Sequence, residues 1–277
     1  MDLTTIIGIL TGVLALFFGF ILEGGSPGSL FHGTAALIVF GGTLGAVAAS
    51  FSTADLKRVP KWLRIAFSRN DSGVTHTFAQ LIHFAERARK EGLLSLEQDV
   101  AYVEDKFTRK GLQLVIDGTD PEITRSILES HITVLEKRHR VGIHLFEAAG
   151  GFSPTMGIIG TVLGLVHVLG NMANPDQLSG AIAAAFIATL YGVSAANLIW
   201  LPIANKLKQK DRAEVQAMEM TLDGILSIQA GENPTILKEK LNTHLDGGLQ
   251  TIPQKGAGYP GRVKTPNQAR SMPNIAK

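Results

Sequence analysis

The chain has 277 residues, 45% hydrophobic and 18% charged, against about 25% charged in ordinary soluble domains. Its net charge of +2 comes from the polar segments alone, because Lys and Arg are absent before Lys57 and between Arg140 and Lys206. That distribution excludes the basic stripes of a nucleic-acid binder, and the lack of cysteine excludes a disulfide framework, a thiol nucleophile and a Cys-ligated zinc site.

A bilayer core of about 30 Å takes roughly 20 helical residues, and four apolar runs meet or approach that length. The first, about Leu3 to Leu22, carries no charge and ends at Glu23-Gly24-Gly25. It lacks a basic n-region and is long for the apolar part of a signal peptide, so it reads as a membrane helix. The second, about Gly33 to Phe51, is stopped by Lys57 and Arg58. A polar stretch follows. In it, Phe78, Leu81, Ile82 and Ala85 recur at helical spacing and predict an amphipathic helix ending near Gly92. A further helix is expected from about Leu96, and Asp120-Pro121-Glu122 is a start signal with proline at the first helical position. The third run, about Val141 to Met172, exceeds one bilayer crossing, so its first turns fall outside the hydrocarbon. The fourth, about Leu178 to Ile203, closes with Lys206, Lys208, Lys210 and Arg212, and its helical pattern continues through Ile225 to the breaker Gly231-Glu232-Asn233-Pro234. From about Gly247 the sequence reads as a disordered tail.

These elements predict an all-α membrane protein with four transmembrane helices and long cytoplasmic helical extensions. The expected division is 1–52 and 141–205 for the membrane helices, 53–140 and 206–245 for the cytoplasmic parts, and 246–277 for the tail. The stretches Glu23 to His32 and Asn171 to Gln177 hold no Lys or Arg, whereas the flanks at 57–69 and 206–212 are basic. The positive-inside rule therefore places both termini in the cytoplasm of a cell whose inner membrane the chain crosses.

Few residues inside the runs carry chemistry. Gly8, Gly12, Gly41, Gly45, Gly157, Gly160 and Gly164 form small-residue stripes that let helices approach closely. Ordinary packing within one subunit accounts for most of them, and those of the third run are the candidates for facing a neighbouring subunit or a partner helix instead. Thr161 and Thr189 lie mid-membrane at similar depth, as hydroxyls that either back-bond to their own helix or replace water around a small cation. Glu147 and His167 sit at opposite ends of the third run, where a paired or water-facing position is the default and an ion relay the alternative. Pro154 and Pro202 interrupt the last two runs near the cytoplasmic boundary, as static kinks or hinges. No Asp or Glu lies at the bilayer centre, so an ion carrier would need its acid from a partner. An enzyme is not supported. His139 and His144 miss the i, i+4 spacing of a helical zinc motif, and no nucleophile set lies at membrane depth.

Three blocks in order, Ala88-Arg89-Lys90-Glu91-Gly92-Leu93-Leu94-Ser95-Leu96-Glu97, Phe152 to Leu165, and Ala188-Thr189-Leu190-Tyr191-Gly192 to Pro202, resemble the A subunit of the bacterial flagellar motor stator. That is the MotA/PomA branch of the MotA/TolQ/ExbB proton-channel superfamily, and the resemblance spans about residues 1–245. It implies a homo-pentamer around two copies of a B-type subunit bearing the membrane aspartate, which turns cation flow into torque on the rotor switch protein. It needs no cofactor besides the transported Na+ or H+. The resemblance makes Arg89 and Glu97 the rotor-contacting charges, Thr161 and Thr189 ion-pathway residues, and Pro154 and Pro202 conformational hinges. Threonine at position 161 leans toward sodium, whereas His167 and its neighbours are similar to proton-type members. The alternative is an ExbB- or TolQ-like energiser of an outer-membrane system, which typically has three membrane helices where this chain shows four runs.

Overall fold

The computed structural model describes residues 3–68, 73–170 and 175–244, and every regular element among them is helical. We label the main helices α1 (Leu3–Leu22), α2 (33–50), α3 (Val59–Phe67), α4 (Val74–Glu91), α5 (Lys106–Ile116), α6 (Pro121–Gly170), α7 (175–229) and α8 (Pro234–Asn242). α1, α2, α6 and α7 are the transmembrane helices.

α6 starts where the sequence signals it: Pro121 occupies the first helical position, and the Asp120 carboxylate accepts the Glu122 N–H at 2.9 Å. Its 50 residues span about 75 Å at 1.5 Å each, more than twice a bilayer core, so much of the helix stands clear of the membrane. α7 runs back beside it over a similar length and ends at Gln229. Asn233 then caps α8, its side-chain oxygen accepting the Thr235 N–H at 3.0 Å.

Three buried clusters lie along this pair. At the membrane end Ala35 and Val39 of α2 meet Ile187 and Ala188 of α7. In the middle Val47, Trp62, Ile143, Phe146, Ile203 and Leu207 close together. Beyond it a larger polar-end core gathers Phe78, Leu81 and Phe84 of α4 with Leu112, Leu128 and Ile225. α3 docks as an amphipathic wedge. Trp62 fills the space left by Gly142, where an added Cβ would lie 2.7 Å from its ring. Lys210 donates to the carbonyls of Ile65 and Ser68 at 2.7 and 2.8 Å, satisfying the open C-terminal end of α3.

The structure departs from the sequence reading in three places. The helix expected from Leu96 is one turn, Glu97–Val100, following a 3₁₀ turn at Leu93–Leu96. A new helix then starts behind Asp105, whose carboxylate accepts the Thr108 N–H at 2.7 Å. Val100, Val103 and Phe107 are all buried and keep helical spacing across this break, which hides it from a periodicity argument. α2 and α7 each contain a π turn, at Leu37–Gly41 and Ala196–Trp200. α7 also begins at Pro175, inside the stretch read as a loop to Gln177. Residues 171–174 and the predicted disordered tail from Gly247 lie outside the described residues.

Candidate functional site

Within the membrane the site is built where α6 crosses α7. A Cβ on Gly157 would lie 2.9 Å from the Ala188 carbonyl oxygen, and one on Gly192 only 2.5 Å from that of Ser153. Cβ atoms on Gly160 and Gly164 would meet the Ala188 and Ala185 methyls at 2.7 and 2.6 Å. The backbones touch because side chains are missing on both sides. Packing within one subunit is thus the reading that holds for Gly157, Gly160 and Gly164, and the alternative that they face a neighbouring subunit or a partner helix is corrected, since that stripe is used up within one chain. Of the other glycines, Gly12 packs on Leu198 and Gly41 meets only Leu37 of its own helix, while Gly8 and Gly45 have nothing within 4 Å. Gly42 makes the tight α2 contact instead, against Met156.

This approach brings the two threonines together. Thr161 Oγ1 and Thr189 Oγ1 are 2.5 Å apart. The Thr161 hydroxyl also lies 2.8 Å from the Ala185 carbonyl on α7 and 3.2 Å from the Gly157 carbonyl on its own helix, with Thr189 Oγ1 3.5 Å from the latter. Each hydroxyl has one proton and two lone pairs. With one proton given to a carbonyl and the other to the neighbouring hydroxyl, lone pairs remain. Thr161 has a single proton, so its back-bond to Gly157 and its cross-helix bond to Ala185 compete, within a group of four oxygens from two helices.

Around the pair, the Tyr191 tie, the Ser153 hydroxyl and the π turn of α7 have no role in the sequence reading, whereas Pro154 and Pro202 are expected to kink or hinge their helices. The Tyr191 hydroxyl donates to the Leu30 carbonyl and accepts the His32 N–H at 3.3 Å, tying the turn before α2 to α7. Pro154 stays inside an unbroken α6, and the Ser153 hydroxyl before it is buried without a hydrogen-bond partner. Pro202 follows directly on the π turn of α7. A π turn rearranges the backbone ladder just where proline withholds a donor, so the helix continues through it.

At the polar end, α4 stops at Gly92, whose φ of +84° and ψ of 163° suit glycine alone. Arg87 then clamps the turn beyond: its guanidinium bonds Asp99 and, at 3.1 Å, Glu91. Hydrogen bonds to Glu91 and Asp99 hold its pKa above the ordinary arginine value. Arg89 and Glu97 flank this turn, both exposed and neither in an ion pair with another described residue. They are presented outward while Arg87 and Asp99 hold the shape. Glu147 takes the default course and pairs with Lys208 at 3.6 Å, with His144 at 3.9 Å. His167 is exposed near the far end of α6, six positions beyond Thr161.

Residues 100–220 match the MotA/TolQ/ExbB proton channel family, and residues 6–92 match the Motility protein A N-terminal family. Motility protein A of Bacillus subtilis is 38% identical over 246 residues, covering 88% of this chain and 91% of that protein. The chain belongs to the MotA/TolQ/ExbB proton channel family. Within it the chain is of the MotA/PomA type, a channel subunit and not an enzyme. Chemotaxis protein PomA of Vibrio alginolyticus is 34% identical over 252 residues, covering 91% of this chain and 98% of that one. A solved structure of C. jejuni MotAB superposes with a TM-score of 0.86 at 31% identity, over 92% of this chain and all of that one. The ExbB- or TolQ-like alternative is not favoured, because the match to the motility-protein N-terminal family covers α1, α2 and α4.

Proposed function

We propose that this chain is the A-type subunit of a flagellar stator that couples sodium flow to torque, five copies enclosing two copies of a B-type subunit. The observation that carries the reading is the oxygen group at the α6–α7 crossing, within a chain that resembles motility A proteins over nearly its whole length. The Thr161 hydroxyl lies within 3.2 Å of the Thr189 hydroxyl and of the Ala185 and Gly157 carbonyls, and the membrane runs hold no carboxylate at mid-depth. Sodium entering a narrow interface needs oxygen atoms in place of its hydration shell, and hydroxyls and carbonyls are the ones this chain offers. The B-type partner supplies the aspartate.

In this arrangement both termini are cytoplasmic, and Arg89 and Glu97 meet the rotor switch protein beyond the ends of α6 and α7. Pro154 and Pro202 lie between the threonines and the long polar rods, where bending converts an event at the crossing into movement of α4. The test is motor speed against external sodium at fixed membrane potential. The reading expects speed to rise with sodium and the response to be lost in Thr161→Ala. Speed indifferent to sodium would make the pair a water-positioning element of a proton path.

A further inference from the structure

Beyond the membrane, α6 and α7 lie side by side and leave a groove on each side. Residues 129, 132, 133 and 136 of α6 line one groove and residues 131, 134, 135 and 138 the other, an offset of two positions that turns about 200° around a helix. The first groove consists of two cavities of about 370 and 490 Å³ with Ile132, Val215 and Leu222 among its lining. Glu129, Glu136, Glu219 and Asp223 rim it against a single arginine, Arg212, while Asp211 lines both grooves and lies 2.9 Å from the His139 ring. In the opposite groove the balance reverses, with Arg58, Lys61, Lys106, Arg138 and Lys210 outnumbering the acids.

The described chain ends inside the acidic groove. Thr243 and His244 line it, the His244 ring lies 2.8 Å from the Asp223 carboxylate, and the His244 carbonyl accepts from Gln216. Beyond that anchored point the sequence carries Lys255, Arg262, Lys264, Arg270 and Lys277, with no Asp or Glu after Asp246. Glu219 has no ion pair with a described residue. Glu129 and Glu136 pair only with Arg125 and Arg140 of their own helix, at 3.7 and 3.1 Å on the surface, pairs that exchange at little cost. Lys255 comes eleven residues after His244, a reach of up to about 36 Å, whereas Glu129 to Glu136 spans only about 10 Å of helix. Tethering at the groove also places the basic residues there at a local concentration in the millimolar range.

We infer that the basic tail of this chain, residues 247–277, docks along the acidic groove between α6 and α7 of its own copy. So seated, it covers the acidic side of the rods against any other basic surface, including the opposite groove of a neighbouring copy. The inference does not depend on the coupling ion or the number of copies.

The absence of cysteine gives a silent background for the test. The full chain, extracted with its B-type partner, would carry Thr265→Cys in the tail with either Thr133→Cys in the acidic groove or Val134→Cys in the opposite one. Oxidation should join Thr133→Cys to the tail within one chain at least fivefold faster than Val134→Cys. The preference should vanish in 1 M salt, where the screening length falls to about 3 Å, and in Glu129→Lys/Glu136→Lys/Glu219→Lys. Should that triple variant fail to accumulate, Lys255→Glu/Arg262→Glu/Lys264→Glu/Arg270→Glu changes no helix residue and should abolish the preference equally. Equal rates at the two positions, a preference that survives charge reversal, or crosslinks that join two copies would each overturn the inference.

Discussion

Thr161 holds its hydroxyl among two carbonyls and a second hydroxyl. Interhelical hydrogen bonds in membranes contribute on average only about 0.6 kcal/mol. Thr161→Ala should therefore leave the membrane level of the complex within about twofold while rotation slows. Thr161→Ser, which keeps the oxygen, should recover most of the speed. Immunoblots and tethered-cell rotation would measure the two effects separately. The glycines make the opposite case. In Gly192→Ala the new Cβ meets a backbone oxygen at 2.5 Å, and two packed backbones cannot yield as a flexible side chain can. We expect a cost of about 1–3 kcal/mol, as for overpacking elsewhere, seen as a lower thermal midpoint of the extracted complex. Gly45→Ala, with open space around it, should leave that midpoint unchanged.

At the scale of elements, the end of α4 separates shape from charge. Gly92 and the Arg87–Asp99 clamp fix the turn, and Arg89 and Glu97 are left exposed on either side of it. Gly92→Ala forces a side chain into a backbone region reserved for glycine, at about 1–3 kcal/mol. Torque should fall although both charges remain. Arg89→Glu should do the reverse: the fold and membrane level stay as in the native protein, since an exposed charge contributes about 0–1 kcal/mol, while torque falls. Partial rescue by an opposite reversal on the rotor protein would support charge contact, and unchanged swimming in a rotor already weakened at its charges would contradict it. The elements were legible in the sequence wherever one signal governed them. Charge-free length marked α1, and Asp120-Pro121 marked the start of α6. The break between Val100 and Phe107 was hidden because tertiary burial keeps helical spacing through a non-helical stretch. The π turns at Leu37–Gly41 and Ala196–Trp200 add one residue to a helical turn without any composition of their own. Within the site, Thr161 and Thr189 stood out as rare polar residues at membrane depth. The Tyr191 tie to Leu30 crosses 161 positions and leaves no local trace.

The whole molecule is a pair of long rods that carries a membrane crossing at one end and an exposed charged turn at the other. Around the crossing it is unfinished as a solitary chain. The membrane window of α1 buries nothing, with Ile7 and Phe18 each 57% exposed, and its tight contact is Gly12 against Leu198. On α6, Ile158, Val162, Val166 and Leu169 point away from α7 and are exposed as well. Lipid or neighbouring copies cover such faces. The glycine stripe is not among them, so in the proposed ring of copies these bulkier side chains, and not the glycines, are the membrane faces left for contact.

The central claim is that this chain, with a B-type partner, drives a rotor by cation flow. Its most direct test is to supply both proteins to flagellated cells that lack stators of their own and to follow single tethered motors. The account predicts that rotation returns in discrete speed increments as complexes join, and that Arg89→Glu abolishes the increments while the complex still reaches the membrane. Motors that stay still despite native complex in the membrane and a measurable cation flux through it would contradict the account.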